Sequence, residues 1–298
     1  MIDLTVYILV FNEEAHIERA ITNALKLTNN IAVIDSYSTD KTVEIAQRLG
    51  ASIYQYEWKK DSTWSKKMNW AIDNVILSTN WFMRLDADEY MTDEFIVKIR
   101  EVFLKIESNI SAISVNRREY FMGKWMKHGG VYPKTMIRII KKGKALFENR
   151  LLDEHVEIIE GEVLYLNIDI CDDRKISLAE WTLKHNIYSN LEAIMLLQKE
   201  YDINLSTESS KKLDKKNKIK RGKKDLYSKL PLFWRVWILF FYRFIIKMAF
   251  LDGKEGFLYA LFQCLWYRSL ADAKLMEIKY SLNNDDVKIK SFLKEKYS

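Results

Sequence analysis

Asp86 and Asp88 are the residues whose types and spacing point most clearly to chemistry. They directly follow the apolar segment WFMRL and are separated by one residue. Two carboxylates that leave a buried strand together can hold a hard divalent cation such as Mg²⁺ or Mn²⁺, which can also bind a diphosphate. An Asp-x-Asp pair is also common in ordinary acidic turns, so the pair by itself leaves both interpretations open.

Two other apolar segments also end in polar residues, Asn12 after the first and Asp35 after the second. In an open α/β sheet, ligands bind in the crevice outside the carboxyl ends of the strands. We therefore expect Asn12, Asp35 and the aspartate pair to converge on one site. The sequence contains neither the GxGxxG pattern of dinucleotide sites nor the GxxxxGK[ST] pattern of P-loops, which excludes both of these standard sites.

The elements that would position these residues alternate along the first third of the chain. Apolar runs of strand length are followed by helical patterns, which is typical of βαβ units and predicts an α/β fold with a mostly parallel sheet. Asp40 stands where the N-cap of the second helix belongs. A long helix is predicted further on, from Ser177 to about Tyr201. The predicted strands are Leu4–Val10, Asn30–Ile34, Ala51–Tyr56 and Trp81–Leu85, and the helices between them are Glu13–Leu27, Lys41–Leu49 and Ser65–Leu77.

The composition is that of a globular protein. The chain has 298 residues, of which 48% are hydrophobic, and its 47 Lys and Arg against 41 Asp and Glu give a formal charge of +6. Glycine and proline are scarce, which excludes collagen-like and wholly disordered chains.

Two cysteines are too few for a disulfide scaffold or a cysteine zinc site and indicate a reducing compartment. The first residues lack a basic start and no window has the ~20 uncharged apolar residues of a membrane span, so we expect neither a signal peptide nor a spanning helix.

The C-terminal third is divided into a basic segment and an aromatic one. Residues 211–224 are almost all basic and predict a mobile linker or a solvated surface. In the helix predicted over Leu232–Leu251, the charged side chains fall within an arc of roughly 120° and apolar side chains surround the rest. This pattern is typical of a helix that lies in the plane of an anionic membrane surface. The residues predicted to contact the membrane are Arg235, Trp237, Arg243 and Lys247.

A buried or oligomer-forming helix is the alternative for the aromatic segment. A second helix predicted over Gly256–Lys279 could pack against it or against another subunit, giving a homo-oligomer through the C-terminal helices. Nucleic-acid binding is the other explanation for a basic run with nearby aromatic residues. We do not expect nucleic-acid binding, because the aromatic residues are grouped with aliphatic ones rather than interleaved with the basic ones.

The sequence also resembles a known family. The resemblance lies in the segments VYILVFNEEAHIERAI, IAVIDSYSTDKTVEIAQRLGASIYQYEW, KKMNWAI and FMRLDADEYM, which look like the nucleotide-binding half of family 2 glycosyltransferases with the GT-A fold. It extends through NRREYFMGKWMKHGGVYPKTMIRII, LLDEHVE, WTLKHNIYSNLEA and FLDGKEGFLYALFQCLWYRSLADAKLMEI. More closely, the chain is similar to the bacterial subgroup of the family that contains lipopolysaccharide core β-glucosyltransferases and related capsule or O-antigen enzymes.

The resemblance implies a domain organisation. Residues 1–205 would form a GT-A catalytic domain, a Rossmann-like mostly parallel sheet flanked by helices. Its first part, 1–110, would bind the nucleotide, and its second part, 111–205, would supply the acceptor and catalytic groups. A basic linker over 206–229 would lead to an amphipathic, membrane-associating helical extension over 230–298.

The resemblance also implies donor-binding roles for individual residues. Asp35 would accept a hydrogen bond from the imide N–H of uracil, and Asp86 would approach the ribose and the metal. Asp88 would be the main ligand of Mg²⁺ or Mn²⁺, and His185 would complete the metal or diphosphate site. Lys67 stands where the family often has Arg or Gln. The residues expected to bind the nucleotide are Val10, Phe11, Asn12, Glu14, Asp35, Lys67, Asn69 and Asp86.

Sugar transfer with inversion requires one carboxylate that removes the proton of the acceptor hydroxyl. Because the leaving group is a nucleoside diphosphate whose charge a metal stabilises, no second carboxylic acid is needed. The segment LLDEHVE supplies Glu154 as the favoured base and Asp153 as the alternative, with His155 in an orienting or binding role. The remaining residues expected in the donor or acceptor pocket are Trp125, Gly129, Gly130 and Tyr132, of which the two aromatic residues could stack on a pyranose ring or pack in the core.

The expected function is therefore a metal-dependent inverting transfer from a UDP-sugar to a hydroxyl of a lipid-linked saccharide. This reaction would serve bacterial lipopolysaccharide or capsule synthesis at the cytoplasmic face of the inner membrane. The alternatives are transfer to polyprenyl phosphate or a soluble acceptor, and a non-catalytic membrane-bound scaffold that binds nucleotide-sugars.

Overall fold

The computed structural model describes residues 2–59, 62–75, 79–152, 154–203 and 215–297. Strands and helices alternate at its start, as the sequence pattern predicts. These elements are β1 Leu4–Val10, α1 Ile17–Leu25, β2 Ile31–Asp35, α2 Thr42–Arg48, β3 Ser52–Gln55, α3 Trp64–Asn74, β4 Trp81–Asp86, β5 Glu89–Met91 and α4 Asp93–Phe103.

The middle of the chain is mainly β-structure and the last third is helical. The strands are β6 Ile110–Phe121, β7 Lys124–Trp125, β8 Lys134–Lys141, β9 Ala145–Phe147, β10 Val156–Ile158 and β11 Glu162–Asp172. The helices are α5 Leu178–Glu200, α6 Lys215–Ser228, α7 Trp234–Phe241, α8 Gly253–Ala260, α9 Tyr267–Ser281 and α10 Asp286–Tyr297. Shorter π-helical turns lie at Tyr242–Ile246 and Leu261–Trp266, and a 3₁₀ turn lies at Ala249–Asp252.

The main sheet has the order β3-β2-β1-β4-β8-β6-β11-β5, with β7 paired to β6. Strands β3, β2, β1 and β4 are parallel to one another. Strand β8 is antiparallel to both β4 and β6, so β6 and its parallel neighbour β11 point the same way as β4. The carboxyl ends of β1, β2, β4, β6 and β11 therefore share one edge of the sheet, which makes that edge the place where the site forms.

The apolar run of β1 is buried on both faces of the sheet. Val6 and Ile8 pack in the core on the side of α1 and α4, whereas Tyr7 and Leu9 pack with Met68 of α3 on the other side. Strands that are covered by helices on both faces are continuous in hydrophobicity rather than alternating. This double burial anchors the ends of the parallel strands and leaves their terminal polar residues in defined positions.

Helix α1 is shorter at its start than the sequence predicts. The backbone N–H groups of Glu13 and Glu14 donate to Thr42 Oγ1 and Asp40 Oδ2, at 2.8 and 3.1 Å, so the loop before α1 is bound to the loop before α2. Asp40 also accepts a hydrogen bond from the backbone N–H of Thr42 at 3.0 Å, but the N-cap of α2 is Lys41, so Asp40 lies one residue before the cap position. Tertiary contacts between the two loops therefore determine where α1 begins.

Part of the basic segment forms a helix where the sequence predicts a linker. Residues 206–214 of the predicted linker lie outside the described part of the chain, but residues 215–228 form α6. Arg221 of this helix donates to both carboxylate oxygens of Glu148 at 2.6 and 2.8 Å. This ion pair, made through the single nitrogen Nη2 of Arg221, attaches α6 to the rest of the molecule, because a buried carboxylate such as Glu148 requires a charged partner.

The predicted continuous helix over Leu232–Leu251 is shorter in the structure, where α7 begins at Trp234 and continues as a π-helical turn to Ile246. The chain leaves the helical conformation at Met248, whose φ is 56°. Arg235, predicted to contact the membrane, is only 2% exposed and forms an ion pair with Asp272 of α9. That prediction is wrong because the buried Asp272 carboxylate draws the guanidinium inward. Trp237 and Lys247 are exposed and Arg243 is half-buried.

The described part of the chain includes no helix that combines the length and the apolarity needed to cross a membrane.

Candidate active site

The ends of β1 and β2 are bound together through their following loops. Val10 and Asp35 are register partners in the two strands. Asn12 Oδ1 accepts from the backbone N–H of Thr39 at 2.8 Å, and the backbone N–H of Asn12 donates to Ser38 Oγ at 2.9 Å. The fold thus brings together the predicted nucleotide-binding residues at this edge, which are Val10, Phe11, Asn12, Glu14 and Asp35, and leaves the ring of Phe11 exposed.

Asp35 is completely buried at the end of β2. Its carboxylate accepts hydrogen bonds from the backbone N–H of Ser38, at 3.0 Å for Oδ2, and from the Ser38 hydroxyl. Two donors leave acceptor capacity on a carboxylate, which offers about four lone-pair sites. In this structure Asp35 shapes the loop after β2.

Lys67 of α3 lies beneath the same strand ends and is completely buried. Its Nζ atom donates to the Val10 carbonyl at 2.9 Å and to Ser36 Oγ at 2.8 Å. Burial lowers the pKa of Lys67 to about 7, although the nearby Asp35 carboxylate acts in the opposite direction. Lys67 was predicted to reach the ribose or diphosphate, but its amine is bound to the walls of the pocket rather than presented to a ligand.

Asn69, the other α3 residue predicted to bind the nucleotide, also faces the protein. Its side-chain amide donates to the Phe147 carbonyl at 2.7 Å and accepts from the Phe147 backbone N–H at 2.9 Å. This double hydrogen bond attaches β9 to α3. In this structure Asn69 positions the β9 segment and makes no hydrogen bond toward the predicted nucleotide pocket through these two atoms.

Arg84 and Asp86 lie on the same face of β4, because side chains two residues apart on a strand point the same way. Arg84 Nε donates to Asp86 Oδ1 at 3.0 Å, and Arg84 Nη1 donates to Glu154 Oε1 at 2.8 Å. The side chains of Arg84 and Glu154 are each 14% exposed. The structure thus brings the favoured base, Glu154, to the carboxylate at the end of β4. Asp153, the alternative base, lies outside the described residues.

Asp86 contacts a second arginine, Arg138 of β8, at 3.6 Å. Burial would raise the pKa of Asp86, but Arg84 and Arg138 hold it well below its usual range. Glu89 is completely buried, accepts from the backbone N–H of Asp86 at 3.0 Å and forms an ion pair with Arg138. Burial raises the pKa of Glu89 to about 7. The end of β4 therefore keeps Asp86 as a fixed negative charge.

Arg117 of β6 extends this group across the sheet. It forms ion pairs with Glu119 at 2.7 Å, Asp172 at 3.1 Å and Glu89 at 3.8 Å. Burial raises the pKa of Asp172 to about 6, whereas for Glu119 the opposing effect of Arg117 prevails and lowers the pKa to about 2. Sequence reasoning missed Arg84, Arg117 and Arg138. Their signal is a charged residue inside an otherwise apolar strand, because a buried guanidinium requires carboxylate partners.

Asp88 is the residue whose surroundings fit a divalent cation. It is 3% exposed, and its Oδ2 atom accepts no hydrogen bond of good geometry, although the guanidinium of Arg174 forms an ion pair with it. Among the residues that the structure describes, no three His, Cys, Asp or Glu side chains form a metal-binding group. A cation that takes one or two carboxylates from the protein and further oxygens from substrate phosphates, as Mg²⁺ does, fits this single buried carboxylate.

Comparison with known proteins shows the family of this chain. The family model described as "Glycosyl transferase family 2" matches residues 5–160, a range that includes Asn12, Asp35, Asp86, Asp88 and Glu154. The chain belongs to glycosyl transferase family 2. It is accordingly a glycosyltransferase, and the expected mostly parallel sheet flanked by helices is confirmed.

Individual relatives are distant. An uncharacterized glycosyltransferase of Rickettsia typhi is 26% identical over 287 residues, which are 94% of this chain and 89% of that protein. The solved structure of Staphylococcus aureus TarS residues 1–349 matches with a TM-score of 0.45 and 11% identity, over 94% of this chain and 91% of that one. Glucosyl-3-phosphoglycerate synthase from Mycobacterium tuberculosis, solved with Mn²⁺, UDP-glucose and phosphoglyceric acid, matches with a TM-score of 0.32 and 20% identity. That match covers 39% of this chain and 43% of the synthase chain, so this chain spans less than half of it.

His185 of this glycosyltransferase is used in packing. Its Nδ1 atom lies 2.8 Å from the Trp181 carbonyl, its Nε2 atom lies 3.0 Å from Gln263 Nε2, and its ring stacks on Trp181. Burial lowers the pKa of His185. Both ring nitrogens have partners, so the predicted role as a metal ligand would require His185 to give up its contact with Trp181 in its own helix or with Gln263.

The aromatic residues expected to stack on a sugar contact charged side chains of the protein. We call the side of β6 that carries Arg117 the front face and the side that carries Arg118 the reverse face, since neighbouring side chains on a strand alternate. The guanidinium of Arg118 lies 4.4 Å from the ring centroid of Trp125, and Lys127 Nζ lies 4.7 Å from the same centroid. The ring of Trp125 is therefore covered by cations on the reverse face.

Tyr132 belongs to the same reverse-face group. Its hydroxyl donates to Asp169 Oδ1 at 3.0 Å, and its ring meets Trp125 edge to face at 5.1 Å. Asp169 in turn forms an ion pair with Arg118 at 2.7 Å. In this structure Trp125 and Tyr132 pack with Arg118, Lys127 and Asp169, and their expected place in the donor or acceptor pocket stays a prediction.

The two glycines expected in the pocket wall approach the C-terminal turns instead. The backbone N–H of Gly129 donates to the Lys247 carbonyl at 2.7 Å, and a Cβ atom at Gly129 would lie 2.9 Å from that of Ala249. Its φ of 69° also favours glycine. Gly130 lies against the side chain of Lys247. His155, predicted beside the base, has its Nδ1 atom 3.7 Å from Glu148 Oε2.

Proposed function

We propose that this glycosyltransferase moves a sugar from a UDP-sugar to an acceptor hydroxyl with inversion, with Glu154 as the general base. The observation that carries the proposal is the position of Arg84, which bonds both Asp86 at the end of β4 and Glu154. A base must lie within reach of the hydroxyl that attacks the donor sugar. The pair of contacts to Arg84 keeps Glu154 beside the strand ends where donors bind in α/β folds.

In the proposed reaction, Glu154 takes the proton of the acceptor hydroxyl as its oxygen bonds to the anomeric carbon. The bond between that carbon and the diphosphate breaks, and UDP leaves with both electrons. Asp88 would hold Mg²⁺ or Mn²⁺ after giving up Arg174, and the bound cation supplies charge stabilisation to the departing diphosphate. Asp35 would accept from the uracil imide with the acceptor capacity that Ser38 leaves unused.

The proposed acceptor is a lipid-linked saccharide of bacterial lipopolysaccharide or capsule synthesis, used at the cytoplasmic face of the inner membrane. The support is an apolar surface on α7 and the turns that follow it, beside the exposed cation of Lys247. Such a surface suits the boundary between headgroups and acyl chains. Its large exposed side chains are Trp234, Trp237, Ile238, Phe241, Tyr242, Ile245, Ile246, Met248, Phe250 and Leu251.

The reaction is tested by release of UDP from a panel of UDP-sugars with Mg²⁺ or Mn²⁺. We expect Asp88→Asn and Glu154→Gln each to lower the rate by at least about 100-fold. Asp93→Asn and Glu162→Gln remove exposed carboxylates and serve as matched controls. Wild-type rates in both site variants would refute the mechanism. Binding of UDP-sugar without turnover under all conditions, including polyprenyl phosphate and soluble saccharides as acceptors, would instead favour the scaffold.

The membrane proposal is tested separately by co-sedimentation with phosphatidylglycerol and phosphatidylcholine vesicles. We expect the wild type to pellet with the anionic vesicles and the double variant Trp237→Ala, Ile246→Glu to remain in solution. Leu104→Glu, at an exposed apolar residue after α4, is the control for added charge. Equal pelleting of all three proteins would refute the proposal, and a change in oligomeric state by light scattering would identify the surface as a contact between subunits.

A further inference from the structure

Arg84 connects two carboxylates that belong to different parts of the chain. Asp86 is its neighbour on β4, whereas Glu154 is separated from Arg84 by 70 positions in sequence. The guanidinium group is planar and its N–H donors have fixed directions. Because Arg84 uses two separate nitrogens, the angle between the two carboxylates is determined as well as their distance from the cation.

The surroundings of Arg84 keep this group charged and in place. The side chain is mostly buried, and its guanidinium carbon lies 5.7 Å from the ring centroid of Phe147. Burial would lower the pKa of Arg84, but Asp86 and Glu154 raise it well above its usual range. Phe147 is itself held by the two hydrogen bonds from Asn69. Arg84 is therefore supported from β4 and from β9.

Glu154, in contrast, lies in the connection between β9 and β10. Its nearest regular contact is the pairing that begins at Val156 and Phe147. A carboxylate on a loop can take many positions, and transfer requires it to meet one hydroxyl at hydrogen-bond distance. The bond from Arg84 at 2.8 Å attaches this loop side chain to β4, which is paired on both sides within the main sheet.

We propose that Arg84 is a positioning residue for the transfer step, one that holds the base Glu154 at a fixed distance and angle from the donor-side carboxylate Asp86. This inference rests on the proposed function of Glu154. It assigns Arg84 an effect on the rate of transfer and little effect on donor binding. A lysine at this position would keep the charge but not the two fixed directions, so charge and geometry can be separated.

The experiment compares Arg84→Lys and Arg84→Gln with matched changes at Arg118. Arg118 forms an ion pair of similar length, 2.7 Å, but its partner is Asp169 on the reverse face instead of Asp86 or Glu154. We expect Arg84→Lys to lower kcat by about 100-fold while the Kd for UDP changes by less than about threefold, since an error of about 1 Å in a reacting group has an effect of that size. Arg118→Lys and Arg118→Gln should leave kcat close to that of the wild type.

A double-variant cycle distinguishes positioning from a merely structural role. If Arg84 acts through Glu154, Arg84→Lys should not lower kcat further in the Glu154→Gln background. Additive losses, or an unchanged kcat in Arg84→Lys while Glu154→Gln is inactive, would overturn the inference alone. A parallel loss of UDP affinity and kcat would also overturn it. Wild-type kcat in Glu154→Gln would overturn the proposed function and the inference together.

Discussion

Arg117 and Arg118 are neighbours in sequence, yet the two faces of β6 that they occupy are built differently. On the front face, Arg117 shares carboxylates from three strands, and these carboxylates connect through Glu89 and Arg138 to Asp86. On the reverse face, Arg118 pairs with Asp169 and lies on Trp125. Both faces pair an arginine with an aspartate, so residue type alone does not identify the reactive side. The difference lies in how the charges are connected and in which strand ends they meet.

The largest expected effect is the difference in rate between a variant that lacks a carboxylate on the front face and one that lacks a carboxylate on the reverse face. Asp86→Asn on the front face should lower the rate of UDP release by about 100-fold or more, because the charge beside Arg84 and Arg138 is lost. Asp169→Asn on the reverse face should change that rate by less than about threefold and lower the free energy of unfolding by about 1–3 kcal/mol. UDP-release assays and denaturant unfolding measure the two quantities. Similar loss of rate in both variants would remove the functional distinction between the faces.

A smaller effect is expected when the cation opposite Asp88 is removed. Arg174→Gln should raise the affinity of the nucleotide-free protein for Mn²⁺ by about tenfold, because the guanidinium no longer competes for the carboxylate. Asp88→Asn should abolish that binding, and Arg118→Gln on the reverse face should leave it unchanged. Mn²⁺ binding is measured by electron paramagnetic resonance or calorimetry. Identical affinities in the wild type and Arg174→Gln would show that the ion pair does not oppose the metal.

Lys67 beneath the pocket predicts a dependence of stability on pH. Its pKa is lowered from 10.5 to about 7 in the folded state, so between these values the unfolded chain carries a proton that the folded chain lacks. The free energy of unfolding therefore rises with pH across this window, by up to about 1.4 kcal/mol per pH unit from this group. Urea unfolding from pH 7 to 9 should show this gain in the wild type and not in Lys67→Met. Lys127→Met, at an exposed position near Trp125, controls for loss of a lysine side chain, and equal slopes in the wild type and Lys67→Met would contradict the assignment.

The smallest effect is expected on the reverse face itself. Trp125→Phe should leave the KM values for donor and acceptor within about twofold of the wild type and lower the free energy of unfolding by about 1 kcal/mol through weaker cation–π contacts. Steady-state kinetics and thermal unfolding provide the test. A large rise in the KM for the acceptor in Trp125→Phe would identify Trp125 as a sugar-binding residue and contradict the functional separation of the two faces.

Much of the sheet edge could be predicted from local pattern. The run from Leu4 to Val10 is a strand with the predicted bounds, and β2 ends in Asp35 within one residue of the prediction. These elements are predictable because a parallel strand that helices cover on both faces is a continuous apolar run. Such a run can be recognised from neighbouring residues in the sequence alone. The beginning of α1 was less accurate, because it depends on hydrogen bonds to Asp40 and Thr42 across the loop.

Residue roles beyond the strand ends were harder to predict for a common reason. Lys67, Asn69 and His185 all lie near the expected site, but each directs its polar atoms to protein partners. Buried polar groups take whichever partners satisfy them, and those partners come from distant segments. Arg235 shows the same effect. A helical projection places it on the membrane-facing side, but the projection does not include Asp272, the buried partner that lies 37 positions away in sequence.

The sequence by itself determined the alternation of strands and helices and, with it, the gathering of Val10, Asp35 and Asp86 at one edge of a sheet. Local periodicity is enough for this, because parallel strands in a βαβ unit must present their carboxyl ends together. Only the tertiary structure decided that β8 is inserted antiparallel beside β4, that Arg84 reaches Glu154, and that Trp125 packs against Arg118. Those outcomes depend on which distant groups compensate a buried charge, and no local pattern carries that information.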